Sequence, residues 1–341
     1  MSNNRLFYAC QALAIAKSGH NNASSTQFEV MKGVQSAGLN TNFTLEQVFE
    51  YGQVELYSNE DEVSEVEITV EKVIDGHKLL YLQAVGEIGK TNVVSASNSV
   101  CDAYLALYSD SVSSISGNTP NNVVMCSGVT LSSVTYTYPI NGNATESITL
   151  TGNNKFWNSA NYGMASSPAV LYGSGGPTAA VINGSHTPSG NVGVARRAKF
   201  DIANSIIPAE VMSQLNTVGS PGSGLQSVTI TANFGREDML EQGRFGPYFK
   251  YATFPFEITC EFEVNATRGD LIAISGTGAN NPTRSILIRD TLGTSINLGN
   301  KNKLTSVSHQ GGDTGGGIAT VTYSYSTYND IKVSNGQSYW S

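Results

Sequence analysis

Charge is scarce in this 341-residue chain: only 13% of residues are Asp, Glu, Lys or Arg, against 40% hydrophobic. That balance excludes a disordered chain, which needs the reverse. Cysteine is scarce too. Cys10, Cys101, Cys126 and Cys260 form no CxxC pair, and none lies near a histidine in sequence. This argues against a disulfide framework and against a metal site, and the four read as small buried apolar residues. His20, His77, His186 and His309 are isolated, with no HxxxH or HExxH, and read as surface or turn residues. No GxSxG elbow and no GxxxxGK[ST] loop occurs, and the glycine clusters at 173–176 and 311–317 lack the lysine that phosphate cradling needs. No apolar run reaches the ~18 residues of a spanning helix. The stretch 6–16 (LFYACQALAIA) could pass for a short signal-peptide core. Gln11 interrupts it, and an N-terminal helix or strand docked on the body explains it equally well.

What is abundant points to β structure. Gly numbers 35, and Ser, Thr and Asn are dense throughout, as suits short strands joined by tight turns. A repeat organises the chain. Residues 34–57 read VQSAGLNTNFTLEQVFEYGQVELY and 225–248 read LQSVTITANFGREDMLEQGRFGPY. At one constant offset they share Gln35/Gln226, Ser36/Ser227, Asn42/Asn233, Phe43/Phe234, Glu46/Glu237, Glu50/Glu241, Gly52/Gly243 and Tyr57/Tyr248. After a one-residue slip, Glu67-Ile68-Thr69 meets Glu257-Ile258-Thr259, and Glu71 meets Glu261.

Each copy reads as strand, connector, strand. Ala37, Leu39, Thr41 and Phe43 alternate with Ser36, Gly38, Asn40 and Asn42, and Val66, Ile68 and Val70 with Glu65, Glu67, Thr69 and Glu71. In the second copy Val228, Ile230, Ala232 and Phe234 alternate with Ser227, Thr229, Thr231 and Asn233. Its return strand sets Phe256, Ile258, Cys260, Phe262 and Val264 against Glu257, Thr259, Glu261 and Glu263. Period-two alternation predicts sheets with one buried and one wet face. The connectors 44–62 and 235–254 are too long for tight turns and should protrude; their Glu-xxx-Glu-x-Gly pattern predicts a short helical turn closed by Gly52 or Gly243. Further strands are expected at 103–108, 123–129, 133–138, 147–151, 285–290 and 318–327, a loop at 162–193, and a short helix opened by Pro208.

The charge is unevenly placed. Residues 34–75 hold ten acidic side chains and one basic, Lys72; residues 225–264 hold six and three. The rest of the −8 chain is therefore about +4. No wet-face position named above is Lys or Arg. An ordinary solvated sheet mixes signs, because opposite charges on neighbouring strands attract and like charges repel. A one-sign acidic face suits a channel wall past which DNA slides without adhering. The net charge argues equally against a sequence-reading nucleic-acid binder, which would carry a basic face.

The two repeated segments, with EVEITVEKVIDGHKLLY (65–81) and GREDMLEQGRFGPYFKYATFPFEITCEFEV (235–264), resemble tail-tube-type virion proteins of tailed phages; VARRAKFDIANSIIPAEV (194–211) resembles the stretch preceding their second hairpin. The resemblance spans roughly 5–81 and 194–264. It implies a mainly β fold: a tail-tube-type β-barrel or sandwich core of two repeated long hairpins, with additional β-rich lobes. It divides the chain into a first core segment (1–90), a Ser/Gly/Asn-rich β insertion (91–193), a second core segment (194–264) and a C-terminal β-rich segment (265–341). Such proteins stack in rings, commonly hexameric, around a DNA channel. Four strands from each of six subunits would give 24, hence a backbone diameter of about 48 Å and a lumen of about 35–40 Å at ~4.8 Å per strand and ~40° tilt. A duplex of ~20 Å passes.

The expectation is a structural subunit of a tail tube, in the virion and assembled in the host cytoplasm, without enzymatic activity, cofactor, metal or membrane contact. Its partners would be itself, other tail proteins (sheath if the tail contracts, baseplate, terminator), and DNA in transit without specific binding. Glu65, Glu67, Glu71, Glu257, Glu261 and Glu263 would line the channel with Asn40, Asn42, Thr229, Thr231, Asn233, Ser36, Ser227 and Thr259. Alternatives are a tube initiator, terminator or baseplate hub, and a carbohydrate-binding adhesin or tail-fibre module using Phe156, Trp157 and Tyr162. A hub with two complete tube-like units would form a pseudo-sixfold trimer; repeats of about 40 residues look too small for that and favour a hexamer. Carboxylates at i and i+2, such as Glu65/Glu67 or Glu261/Glu263, lie about 6.5–7 Å apart at Cα, within glycosidase spacing. They recur in both repeats with no privileged pair. Arg268-Gly269-Asp270 matches an adhesion tripeptide but follows a strand as an ordinary turn, and the five Asn-x-Ser/Thr sequons are what this composition produces by chance.

Overall fold

The computed structural model describes residues 6–17, 28–86, 96–111, 120–159, 193–215, 224–270, 272–275, 278–279, 281–312, 317–337 and 339. Antiparallel sheet dominates, and its centre is one long strand, β8 (Asn122–Pro139). Beside the C-terminal half of β8 lies β9 (Thr145–Gly152), then β6 (Glu65–Val73), then β3 (Val34–Asn42) at the edge. On its other side come β11 (Leu225–Asn233), β14 (Glu257–Asn265), β20 (Thr320–Tyr328) and β19 (Lys303–Gln310) at the opposite edge. Eight strands thus form one continuous open sheet, β3-β6-β9-β8-β11-β14-β20-β19. No closed barrel is present among the described residues.

The N-terminal half of β8 enters a second array. There it pairs with β10 (Asn154–Ser159) on one side and β7 (Val100–Leu107) on the other, followed by β1 (Gln11–Lys17) and β2 (Phe28–Val30). Ala12 through Ala16 are all buried, so both faces of β1 are covered. A strand buried on both faces reads as a continuous apolar run. That accounts for the part of the 6–16 stretch that lies in β1, residues 11–16; Tyr8–Cys10 form a 3-10 turn before it, and Leu6, Phe7 and Tyr8 are exposed.

The inner face of the eight-stranded sheet is the core. Val66, Ile68, Val70, Leu150, Tyr136, Ile230, Cys260, Phe262 and Tyr323 belong to one buried cluster with the helix α1 (Leu80–Val85) and with Ile288 and Ile296. The last two lie on β17 (Leu287–Arg289) and β18 (Ser295–Asn297), which form a small sheet with β21 (Lys332–Ser334), while the two short strands before them, β15 (Ile274–Ser275) and β16 (Gly278–Ala279), pair with each other. Glu146, itself buried, ties α1 to the sheet: its Oε2 accepts from Leu80 N at 2.6 Å, and its Oε1 from Tyr81 N at 3.0 Å and Tyr136 Oη at 2.9 Å. A second helix, α2 (Ala209–Gln214), has Pro208 at its N-cap, as expected. All four cysteines are free and buried.

Other expectations shift. The strands expected at 123–129 and 133–138 are one strand, β8. Segments 91–193 and 265–341, read as insertion and tail, supply four of the eight strands. The connectors are not helical turns. Each is a projecting β-hairpin: β4 (Leu45–Phe49) with β5 (Leu56–Asp61), and β12 (Arg236–Met239) with β13 (Phe249–Ala252). Gly52 and Gly243 do hold positive φ, +97° and +85°, but at or beside the hairpin turns, with open space around them. Phe43, expected in the buried row, lies beyond β3 and is exposed, whereas its counterpart Phe234 is buried. The expected loop at 162–193 lies outside the described residues apart from Gly193.

Candidate functional site

The face of the eight-stranded sheet opposite the core is built almost wholly from small polar and acidic side chains. Following the pairing across the strands, one row runs Ser36, Glu71, Ser147, Thr135, Thr231, Thr259, Ser326 and Lys303. A neighbouring row runs Thr145, Thr137, Thr229, Glu261, Ser324 and Ser306. Period-two alternation puts every second residue here, and the pairing register keeps the phase across all eight strands. The predicted lining residues therefore converge. Glu65, Glu67, Glu71, Asn40 and Asn42 lie on β3 and β6; Thr229, Thr231, Asn233, Glu257, Glu261 and Glu263 lie on β11 and β14; all share this one face. Serine and threonine on β8, β9 and β20 fill the space between and beside them.

Lys72, the one basic residue of the first copy, is not on this face. It is fully buried, and its Nζ donates to Asp75 Oδ1 at 2.6 Å and to the Lys32 carbonyl at 2.8 Å. Glu67, Glu71, Glu257, Glu261 and Glu263 form no ion pair among the described residues. Glu261 accepts from Ser324 Oγ at 3.1 Å, and Glu263 from Ser227 Oγ at 3.1 Å. Two details depart from an unbroken anionic wall. Glu65 lies 3.7 Å from Lys250 on the second projecting hairpin, and Lys303 ends one row at the outer edge. Both sit at the margin of the face.

The sheet is also a duplication in three dimensions. In chain order each unit supplies four strands, and each arranges them first, second, fourth, third: β3-β6-β9-β8 and β11-β14-β20-β19. Gly33 and Gly224 precede the units with φ of +75° and +132°, and Gln35 and Gln226 each donate back to that glycine's carbonyl at 3.3 Å. A bulge follows at Val34/Ser36 and at Leu225/Ser227. A further bulge falls at Leu131/Ser133 on β8 and at Leu304/Ser306 on β19. Beside it the Leu131 carbonyl accepts from Arg236 Nε at 2.7 Å, and the Leu304 carbonyl from Asn281 Nδ2 at 2.8 Å. Ser36 faces Glu71 as Ser227 faces Glu263, so the return strands are equivalent at an offset of 192. The sequence match of Glu67 with Glu257 is two residues out. An error of two preserves the face, which is why the lining residues still converge.

Both projecting hairpins leave the same end of the sheet, after the parallel strands β3 and β11. Six acidic residues crowd 44–62 with no basic one, and Phe49, Tyr51, Val54 and Tyr57 are exposed there. Leu240, Phe245 and Tyr248 are exposed on the second. Among the described residues no group of three His, Cys, Asp or Glu side chains forms a candidate metal site. Phe156 and Trp157 are adjacent on strand β10, hence on opposite faces, and make no shared aromatic platform; Tyr162 lies outside the described residues. No described helix is long and apolar enough to cross a membrane.

No family model matches the chain, and no curated protein matches it. Among solved structures it is similar to a chain of the anti-feeding prophage baseplate (12% identity, TM-score 0.35, covering 48% of this chain and 100% of that one). It is similar also to a chain of the sheath/tube terminator structure of an extracellular contractile injection system (14%, 0.34, 47% and 100%) and to one of the anti-feeding prophage tube-terminating cap (16%, 0.34, 47% and 95%).

Proposed function

We propose that this chain is a ring-forming structural component of a phage-tail-like tube, with the polar sheet face lining a channel for DNA. The observation carrying this reading is the duplicated four-stranded unit in an open sheet whose one face is acidic and hydroxyl-rich. Each chain brings two units, so the six units expected of a tube ring come from three chains. Three sheets of eight strands give 24 strands and a backbone diameter of about 48 Å, whereas six chains would give about 96 Å. Two chains would give about 32 Å, which side chains narrow to little more than the bare duplex. A pseudo-sixfold trimer thus replaces the hexamer, because the repeat is a complete unit once β8, β9, β19 and β20 are counted.

Among the described residues no strand pairs with the outer side of β3 or of β19, and an open sheet with two such long edges needs partners, since unpaired edges template aggregation. Rotational closure supplies them. The same duplication favours a second reading, a baseplate hub or a tube initiator or terminator, which would make one ring and stop. Electron micrographs of purified protein separate the readings: long stacked tubes mark a tube subunit, and discrete rings a hub or terminator. A monodisperse monomer at high concentration overturns both.

A further inference from the structure

Within one chain the two units meet along β8 and β11, in a register with Thr135 opposite Thr231 and Ser133 opposite Asn233. The hydroxyl oxygens of Thr135 and Thr231 are 3.4 Å apart. The free edges β3 and β19 are the counterparts of those two joining strands: β3 matches β11 at an offset of 191, and β19 matches β8 at 173. The bulges fix both offsets, since Val34/Ser36 maps onto Leu225/Ser227 and Leu131/Ser133 onto Leu304/Ser306. Strands alternate in direction across the sheet. With eight per chain, rotation about an axis along the strands brings β3 of one copy antiparallel to β19 of the next.

Building on the ring reading, we infer that β19 of each chain pairs with β3 of a second copy in the register of the internal β8–β11 seam. Applying the offsets puts Asn40 opposite Ser308, Asn42 opposite Ser306, and Gly38 opposite Gln310. Asn40, Asn42, Ser306 and Ser308 are exposed and belong to the polar face, so that face continues unbroken into the next subunit. On the other face Leu39 and Thr41 meet His309 and Val307; Leu39 and Val307 are already half-buried against the core. The bulge on β19 lies just beyond the paired stretch, as the bulge on β8 lies just beyond its pairs with β11.

Paired cysteines test the register, and the four native cysteines, all buried, leave the new thiols as the accessible ones. The full chain carrying Asn40→Cys and Ser308→Cys, treated with diamide, is expected to give a ladder ending at a covalent trimer of about 108 kDa, three times 36.1 kDa. Asn42→Cys with Ser306→Cys should do the same. Ser36→Cys with Ser306→Cys should not, because six residues of slip separate those positions by about 20 Å, beyond the ~7 Å Cα limit of a disulfide. Thr135→Cys with Thr231→Cys, closing within one chain, is the positive control. Rings that form but cross-link only through out-of-register pairs such as Asn40→Cys with Ser306→Cys overturn the register and leave the ring reading standing. Protein that stays monomeric overturns both.

Discussion

Exchanging Glu67 and Glu261 for lysine puts two cations per chain on the polar face, one in each unit. Among the described residues neither glutamate has a basic partner, and of the two Glu261 alone has a side-chain hydrogen bond, from Ser324. The substitutions should change subunit stability by less than about 1 kcal/mol, and the ring should still form. In the proposed ring of three chains these make six lysines around the channel. If each meets a phosphate, log K falls with log salt at a slope of about −5 per ring. Between 50 and 200 mM salt, affinity should then drop on the order of a thousandfold. The assay compares fluorescent linear duplex with covalently closed circular DNA on preassembled rings. Linear DNA can thread the channel, and closed circles cannot. The variant should bind linear DNA steeply with falling salt and ignore circles, while the unaltered protein holds neither. Equal binding of circles would put these side chains on the particle exterior and refute the channel assignment. Absence of any gain for linear DNA would do the same.

Three further outcomes follow from particular contacts. Replacing 45–61 by a short Gly-Ser link removes a hairpin whose apolar residues are all exposed, so the subunit should keep its melting temperature within a few degrees, as surface changes do, while stacking into longer assemblies is lost; insoluble protein would mean the hairpin belongs to the core. Glu146→Ala strands two backbone N–H groups and the Tyr136 hydroxyl in the interior and should cost about 3 kcal/mol in urea unfolding, whereas a loss under about 1 kcal/mol would show that water replaces the carboxylate. Arg284 donates through Nε to Glu210 at 2.9 and 3.0 Å and holds its carboxyl below the usual range. That stabilisation is present above pH ~4.5 and fades as pH falls through the lowered value, so the stability gap between the unaltered protein and Glu210→Gln should close in acid; a gap that widens there would contradict the pairing.

The polar face was legible because period-two alternation needs no partner strand: Glu65, Glu67 and Glu71, or Glu261 and Glu263, already declare which side is wet. The sheet's extent was not. β9 and β20 share the alternation but almost no residues, and the offset between copies falls from 191 at the first strand to 173 at β8 and β19, so a search at one offset loses them. Leu131-Ser132-Ser133-Val134 against Leu304-Thr305-Ser306-Val307 was the surviving trace. Counting two strands per copy instead of four halves what each chain would bring to a 24-stranded wall, which is the difference between six chains and the three proposed. The connectors mislead for another reason: Gly52 and Gly243 do take positive φ, and both helix C-caps and hairpin turns use such a residue. The choice between them rests on the pairing of Leu45–Phe49 with Leu56–Asp61, which spacing alone does not reveal.

The most direct test of the account is an averaged end-on cryo-electron image of the assembled ring, with the number of chains counted independently by native mass spectrometry. Three chains enclosing a 24-stranded wall, with Glu67, Glu71, Glu261 and Glu263 facing the lumen, is the result the duplicated sheet predicts. Six chains in one ring, or three chains with those glutamates facing outward, would contradict it.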